Sequence, residues 1–331
     1  MKTKILGETG LVITPIGLGL AALGRPGYIT LKHADDLDHV YSSEEMEQHV
    51  HTVLDAAWKA GIRYFDAARS YGRAEAFLAS WLAKRQISPR EVTVGSKWGY
   101  TYTADWKVGA EVNEIKDHSL AQLRRQRRES VEILGRYLYL YQIHSATLES
   151  GVLEDQSILD ELANYQEQGL KIGLTLSGPK QSDTLYRALK ITRRGRPLFD
   201  CVQATWNLFE TSVGQALMTA HQRGMGVLVK EALANGRLTD KNDDLADSEK
   251  IELLREVAAE QLTTVDAIAL AAVLAQPWAD IVLSGAATTA QLVSNVAATS
   301  VVWNNNLQKR LAVMAELPED YWKKRSSLSW N

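Results

Sequence analysis

Four ionisable side chains of this chain are of types that could deliver a proton together. Asp66, Lys97 and His144 each stand where a predicted strand ends, and Tyr71 follows five residues after Asp66. A phenol has an ordinary pKa of about 10, and a neighbouring ammonium group lowers it. We therefore expect Lys97 to acidify Tyr71 and Asp66 to orient Lys97. His144 would then hydrogen-bond a carbonyl oxygen, and the set suits hydride addition to a carbonyl, with Tyr71 protonating the oxygen. None of these groups can donate a hydride, so the chemistry needs a cofactor.

The elements that position these side chains are eight short apolar runs that predict strands, with helical periodicity between them. Alternating strands and helices indicate a parallel sheet, because each parallel connection needs a long crossover. Eight such units in about 270 residues favour an α/β fold closed as a (β/α)8 TIM barrel over an open sheet. The predicted strands are Ile16–Leu20, Ile62–Phe65, Val92–Ser96, Tyr137–Ile143, Lys171–Leu176, Cys201–Thr205, Gly226–Val229 and Ile281–Leu283.

The helical patterns connect these runs in order. A β-hairpin is expected before the barrel, since short β-branched runs at residues 5–6 and 12–13 flank a glycine-containing turn. No Pro/Ser-rich linker divides the chain, so we take 1–331 as one barrel domain. The predicted helices are Ser43–Ala60, Glu75–Lys84, Val112–Leu134, Ser157–Gln168, Asp183–Leu189, Val213–Gln222, Ser248–Gln261, Val265–Leu274 and Ala290–Ala298.

The composition excludes several classes of protein. The chain has 331 residues, with 37 Lys plus Arg against 40 Asp plus Glu, a formal net charge of −3. This balance argues against a nucleic-acid partner. No apolar stretch approaches the length of a membrane span, and the start lacks a signal-peptide core, so we expect no membrane partner. The single cysteine, Cys201, allows no intrachain disulfide, which favours a reducing, cytoplasmic location.

Two features imitate ligand motifs without meeting their requirements. Gly17 and Gly19 lie in the first predicted strand and Gly24 follows it, but the third glycine comes two residues late for a dinucleotide-binding fingerprint. Close packing of the first strand, or a loop that lies near a ligand, explains these glycines better. His49 and His51 are two residues apart on a predicted helix, so they point to different faces, and we expect no metal site.

Two segments resemble signature sequences of the aldo-keto reductase family. Phe65–Gly72 is similar to F-D-T-A-x-x-Y-G, and Ser130–His144 resembles S-L-x-x-L-x-x-D-Y-x-D-L-Y-x-x-H. The tail from Leu317 onward also resembles tails in the family, and the resemblance covers nearly the whole chain. It implies a TIM barrel with an N-terminal β-hairpin, a nicotinamide cofactor held without a Rossmann domain, and carbonyl reduction. It also places the tail, about residues 302–331, near the mouth of the barrel.

The resemblance implies residue roles position by position. Asp66, Tyr71, Lys97 and His144 match the family's catalytic tetrad, with Tyr71 as the acid. Gly178 stands where the family has an amide side chain. Lys230 stands near the position where the family often has an aromatic ring that stacks on nicotinamide. The residues implied to bind the cofactor are Ser177, Gln203, Lys230, Leu233, Gly236, Arg237, Gly285, Ala287, Thr288, Gln291 and Asn295.

The cofactor expected from the resemblance is NADP(H), with NAD(H) also accepted. The 2′-phosphate of NADP(H) is usually paired with Arg or Lys. No Arg or Lys lies between Gly285 and Ser300, so Lys230 and Arg237 are the nearest candidate cations. We therefore expect only modest discrimination between the two cofactors.

The expected substrate is a small-molecule carbonyl compound, either an aldehyde or a ketone. Several aromatic residues fall in predicted loops or the tail, where they would line an apolar pocket. The four assigned to it are Tyr28, Trp98, Trp206 and Trp330. The expected assembly is a monomer or a small homo-oligomer. The alternative is a non-catalytic or weakly catalytic cofactor-sensing module of the same fold, similar to the auxiliary subunits of potassium channels.

Overall fold

Eight parallel strands close into a barrel in the computed structural model, which describes residues 1–331. Each strand pairs with the next along the chain, and the last pairs with the first. The predicted barrel is therefore confirmed, and every predicted strand is present with its ends within three residues. The barrel strands are β1 (Ile16–Gly19), β2 (Tyr64–Asp66), β3 (Thr93–Trp98), β4 (Leu138–Ala146), β5 (Lys171–Leu176), β6 (Cys201–Thr205), β7 (Gly226–Lys230) and β8 (Ile281–Ser284).

Helices surround the barrel, and all nine predicted ones are present. No single helix is long and apolar enough to cross a membrane; the segments Leu245–Glu260 and Val265–Leu274 reach that length and composition only as a pair bent by 87°. The helices are α1 (His33–Asp36), α2 (Ser43–Lys59), α3 (Ala74–Lys84), α4 (Leu120–Leu134), α5 (Gln156–Glu167), α6 (Gln181–Ala188), α7 (Gly214–Gln222), α8 (Ser248–Glu260), α9 (Val265–Leu274), α10 (Thr289–Ala297), α11 (Asn305–Leu311) and α12 (Pro318–Ser326).

The predicted start of α4 at Val112 is wrong. Residues Glu114–Lys116 form an antiparallel pair with Tyr100–Tyr102, above the barrel. The helix begins only after Ser119, whose hydroxyl accepts a hydrogen bond from the Gln122 amide. Such a cap satisfies one of the amides that a helix start leaves unpaired. The loop after β3 therefore carries a small hairpin that projects toward the mouth.

The N-terminal hairpin closes the opposite end of the barrel. Lys4–Ile5 and Val12–Ile13 pair antiparallel, as predicted. Leu6 and Ile13 are buried with Leu140, Cys201 and other apolar side chains of the barrel interior. This plug removes apolar strand ends from water, which leaves the carboxyl-end mouth as the open face of the barrel.

Close packing explains the glycines around β1, as the sequence indicated. A Cβ atom on Gly17 would lie 2.9 Å from the Tyr64 ring. A Cβ on Gly24 would lie 2.1 Å from the Tyr71 carbonyl oxygen and 2.5 Å from the Ala74 Cβ. The Gly24 carbonyl also accepts a hydrogen bond from the Arg73 amide at 2.7 Å. The backbone at Gly24 thus packs directly on the segment that carries Tyr71.

We predict that Gly24→Ala destabilises the fold by about 1–3 kcal/mol, the usual cost of forcing an extra methyl group into a packed site. Gly109→Ala is the control, because a Cβ there meets no atom within 4 Å. Urea unfolding should show a lower midpoint for Gly24→Ala at unchanged slope, and little change for Gly109→Ala. Equal midpoints for the two variants would contradict the packing argument.

Candidate active site

A cavity of about 720 Å³ opens at the carboxyl ends of the barrel strands. Asp66, at the end of β2, lines it with Tyr71 and His144. Lys97, near the end of β3, is buried beneath, where its ammonium group pairs with the Asp66 carboxylate. Lys97 also donates to the Ala67 carbonyl oxygen at 3.0 Å. Three adjacent strands therefore bring the four predicted catalytic side chains to one place.

The Asp66 carboxylate is the centre of a buried polar network. One oxygen accepts from Lys97, and the other accepts from the Tyr64 hydroxyl at 3.1 Å. That second oxygen also accepts from the side-chain amides of Gln203 at 3.2 Å and Gln142 at 3.4 Å. A buried carboxylate needs such partners to offset its lost hydration. Tyr64 and Gln142 were not predicted; their polar side chains within predicted strands were the available signal.

Tyr71 lies between two of its predicted partners. Its ring centroid is 4.7 Å from the Lys97 Nζ and 5.5 Å from the His144 ring, which meets it edge-on. Burial raises the pKa of Tyr71 well above 10, the Asp66 carboxylate raises it further, and the Arg25 guanidinium opposes both. The expectation that Lys97 acidifies this phenol is corrected: the Lys97 charge is paired with Asp66, and burial raises the pKa of Tyr71 instead. Tyr71 therefore remains a protonated phenol at neutral pH.

His144 is a neutral imidazole. Burial lowers its pKa well below 6.5, and the nearby cations Lys97 and Lys230 lower it further. Its Nδ1 lies 3.4 Å from the Ser70 hydroxyl, and its backbone carbonyl accepts from the His118 Nε2 at 2.9 Å. A neutral imidazole has one N–H group, so His144 can donate a single hydrogen bond to a substrate oxygen.

The cavity continues past the tetrad toward β6 and β7. Ser177, Gln203 and Lys230 line this part. The Lys230 ammonium donates to the Thr205 hydroxyl at 2.8 Å and lies 3.6 Å from the Glu231 carboxylate. Burial lowers the pKa of Lys230 to about 8, although Glu231 opposes this shift. The position implied for a stacking ring thus holds an amine that is charged at neutral pH.

The far end of the cavity lies where β8 leads into α10. A Cβ on Gly285 would meet no atom within 4 Å, so the groove there is open. The Thr288 hydroxyl caps α10 by accepting from the Gln291 amide, and the Ala287 amide donates to the Gln291 side chain at 2.8 Å. Asn295 donates to Ser284, but its own side-chain oxygen is buried without a partner. An open groove, a helix start and a free buried acceptor fit the adenosine half of a dinucleotide.

The expected cations are not at this end of the cavity. Arg237 is buried, where its guanidinium pairs with Asp247 and Glu316 instead of facing the groove. Lys241, which was not predicted, lines the groove and pairs with Asp36. Arg237, Ala287 and Thr288 do not line the cavity. The other predicted cofactor residues do: Ser177, Gln203, Lys230, Leu233, Gly236, Gly285, Gln291 and Asn295.

Two of the four predicted pocket aromatics line the cavity, namely Tyr28 and Trp330. The assignment of Trp98 is corrected: side chains alternate along a strand, so Trp98 points away from the interior that Lys97 occupies, and its ring is fully buried. Trp206 is corrected too, because it packs on Trp278 with ring centroids 5.6 Å apart. The tail instead supplies further lining residues, which are Arg325, Ser326 and Leu328.

Comparisons with known proteins agree with this fold. Pyridoxal 4-dehydrogenase of Microbacterium luteolum is 29% identical over 154 residues, which is 40% of each chain. The NADH-specific methylglyoxal reductase of Escherichia coli (strain K12) is 23% identical over 96% of this chain and 100% of that protein. The solved holo form of aldo-keto reductase AKR11C1 from Bacillus halodurans shares the fold, with a TM-score of 0.73, 19% identity and coverage of 96% and 97%. The model of the Aldo/keto reductase family matches residues 15–311, so the chain belongs to the aldo/keto reductase family of oxidoreductases.

Proposed function

We propose that this protein is an NAD(P)H-dependent reductase that converts an aldehyde or ketone into an alcohol. The observation that carries the proposal is the meeting of Tyr71, His144 and the Lys97–Asp66 pair in one cavity that runs on into an open groove beside α10. The dihydronicotinamide, when bound, supplies the hydride. Ser177 and Gln203 are the residues that would hold its carboxamide.

Each of the four proposed catalytic side chains has a separate role in the reduction besides the supply of the hydride. His144 donates its N–H to the carbonyl oxygen and positions it beside Tyr71. Negative charge grows on this oxygen during reduction, and Tyr71, which burial keeps protonated, transfers its proton there. Asp66 and Lys97 hold the phenol in place from below. Burial of Asp66 and Lys97 removes their charges from water, which strengthens the interaction between them.

The proposed cofactor is a nicotinamide dinucleotide: the family resemblance implies NADP(H), with NAD(H) also accepted, whereas the charges of the groove favour NAD(H). The groove beside α10 offers one cation, Lys241, and three carboxylates, those of Asp36, Asp240 and Asp266. This excess of negative charge works against a 2′-phosphate. The NADH named for the Escherichia coli relative is consistent with such a groove.

The alternative function is a cofactor-sensing binding module with little or no catalysis. Oxidation of NADPH and NADH should be followed with a panel of aromatic and short-chain aldehydes. Turnover of any of them supports the reductase. Tight cofactor binding without turnover on the whole panel would support the binding module instead.

We predict that Tyr71→Phe lowers kcat for carbonyl reduction by about 10²–10⁴, because it keeps the ring but removes the proton donor. Cofactor affinity, measured by fluorescence quenching, should change little. Steady-state kinetics at pH 7 tests the first point and titration the second. Near-normal turnover of Tyr71→Phe would show that another group is the acid.

We predict that Lys97→Met lowers the rate and moves any alkaline decline of the reduction rate to higher pH. The substitution leaves the Asp66 carboxylate buried without its cation, and this negative charge raises the pKa of Tyr71 further. A pH profile of kcat/KM tests the shift. Lys84→Met, on the surface, serves as the control. An unchanged rate and profile in Lys97→Met would separate Lys97 from the chemistry.

We predict that Asp36→Asn shifts the cofactor preference toward NADP(H) by about tenfold. The substitution removes a carboxylate from the groove and frees Lys241 for a phosphate, and a charge-assisted contact of this kind is worth roughly 1.5–3 kcal/mol. Titrations of NADPH and NADH at low and high salt give the ratio of Kd values. Asp35→Asn is the control, since Asp35 does not line the cavity. Equal ratios in both variants would exclude Asp36 from cofactor discrimination.

A further inference from the structure

Arg25 is a buried cation beside the proposed proton donor, and no sequence motif predicted a role for it. Only 2% of the residue is exposed, yet it lines the cavity with Tyr71 and His144. Its Cζ lies 5.3 Å from the centroid of the Tyr71 ring. Its Nη1 donates to the Ser70 carbonyl at 2.8 Å, and its Nε is enclosed by the protein without a partner, whereas its Nη2 makes no hydrogen bond and is not enclosed. Arg25 therefore retains an unused donor next to the reacting centre.

Glu114 accompanies Arg25 at the same wall. It comes from the hairpin above β3, and its carboxylate accepts from the Arg25 Nη1 at 2.5 Å. Glu114 also lines the cavity and is part-exposed there. A carboxylate oxygen accepts more than one hydrogen bond, so Glu114 retains acceptor capacity. The pair thus presents a donor and an acceptor side by side, without net charge.

From this pairing we propose that Arg25 and Glu114 recognise a hydroxyl group on the carbon next to the substrate carbonyl. The substrate class is then a 2-hydroxy aldehyde or 2-hydroxy ketone. This inference rests on the proposed function, because it assigns the wall of the cavity in which Tyr71 would protonate the carbonyl oxygen.

A hydroxyl matches the pair better than a carboxylate does. A hydroxyl both accepts and donates, so it can accept from Arg25 and donate to Glu114 at once. A carboxylate only accepts, and it would lie beside the like charge of Glu114. The next cation at this end, Arg325, is already paired with Glu231. No unpaired arginine remains there for an anionic group.

The rings around Arg25 complete the wall. Tyr28 and Trp330 line the cavity, with the Arg25 Cζ 5.3 Å and 4.4 Å from their ring centroids. Rings on this side hold the guanidinium in one orientation, which lowers the entropy lost when it binds a ligand. The pocket thus combines apolar surface with one fixed polar pair, as small-molecule sites commonly do.

The test compares hydroxyacetone with 2-butanone, which carries a methyl group where hydroxyacetone carries its hydroxyl. The variant is Arg25→Met/Glu114→Leu, which removes both charges and leaves neither buried alone. We expect its ratio of kcat/KM for hydroxyacetone over 2-butanone to fall about 10- to 100-fold from the wild-type ratio, as for a lost hydrogen bond to a charged group. The difference in intrinsic reactivity between the two ketones cancels in this comparison, because the wild type and the double variant are assayed with the same pair. Glu111→Gln, on the same hairpin, should keep the wild-type ratio.

A purely structural role for the pair would lower both rates together and leave the ratio unchanged, which would overturn the proposal. A strong wild-type preference for pyruvate over hydroxyacetone that the double variant abolishes would overturn it too, since the pair would then bind a carboxylate. If the double variant does not fold, Glu114→Gln replaces it in the test. The proposal then requires that the ratio of kcat/KM for hydroxyacetone over 2-butanone falls by at least about threefold in Glu114→Gln. An assay of the wild type with 4-nitrobenzaldehyde distinguishes failure of this inference from failure of the proposed function. If the wild type reduces neither 4-nitrobenzaldehyde nor the two ketones, the proposed reductase function itself is refuted.

Discussion

The buried ion pair between Lys97 and Asp66 is the interaction on which the rest of the site depends. Removing one member of such a pair typically costs about 3–5 kcal/mol, because the other charge is left buried alone. The barrel meets this constraint with hydrogen bonds to Asp66 from Tyr64, Gln142 and Gln203. These partners come from β2, β4 and β6, so one carboxylate ties strands across the barrel interior.

Burial also sets the protonation states of the two groups that would meet the substrate. Burial disfavours the charged form of every group, so it raises the pKa of Tyr71 and lowers that of His144. Both side chains are then uncharged hydrogen-bond donors at neutral pH. Lys97 contributes less to the acidity of Tyr71 than its proximity suggested, because Asp66 compensates its charge. The cation that does oppose the rise of the Tyr71 pKa is Arg25, whose Cζ lies 5.3 Å from the centroid of the ring.

Sequence reasoning succeeded where the pattern is local and failed where it depends on tertiary pairing. Strand and helix positions follow from apolar periodicity, and the tetrad follows from strand ends that must meet at one mouth. The start of α4 was wrong because Tyr100–Tyr102 offered a pairing partner that periodicity does not reveal. Trp98 was assigned to the pocket because the predicted strand ended at Ser96; β3 continues to Trp98, where strand alternation turns the ring away from the interior. Arg237 could not be excluded as a phosphate ligand, since its partner Glu316 is 79 residues away in sequence.

Charge pairing across loops is the common rule of the cavity wall. Arg25 meets Glu114, Arg325 and Lys230 share Glu231, and Lys241 meets Asp36. Three of these four contacts join distant segments, so the mouth is held together by ion pairs as well as by its apolar walls. No cation that lines the cavity is left unpaired. The phosphates of a dinucleotide would therefore depend on backbone amides and the start of α10 more than on side-chain charge. Under the proposed function, the segment after β8, with its small residues from Gly285 to Ala287, would then supply most of the affinity for the cofactor phosphates.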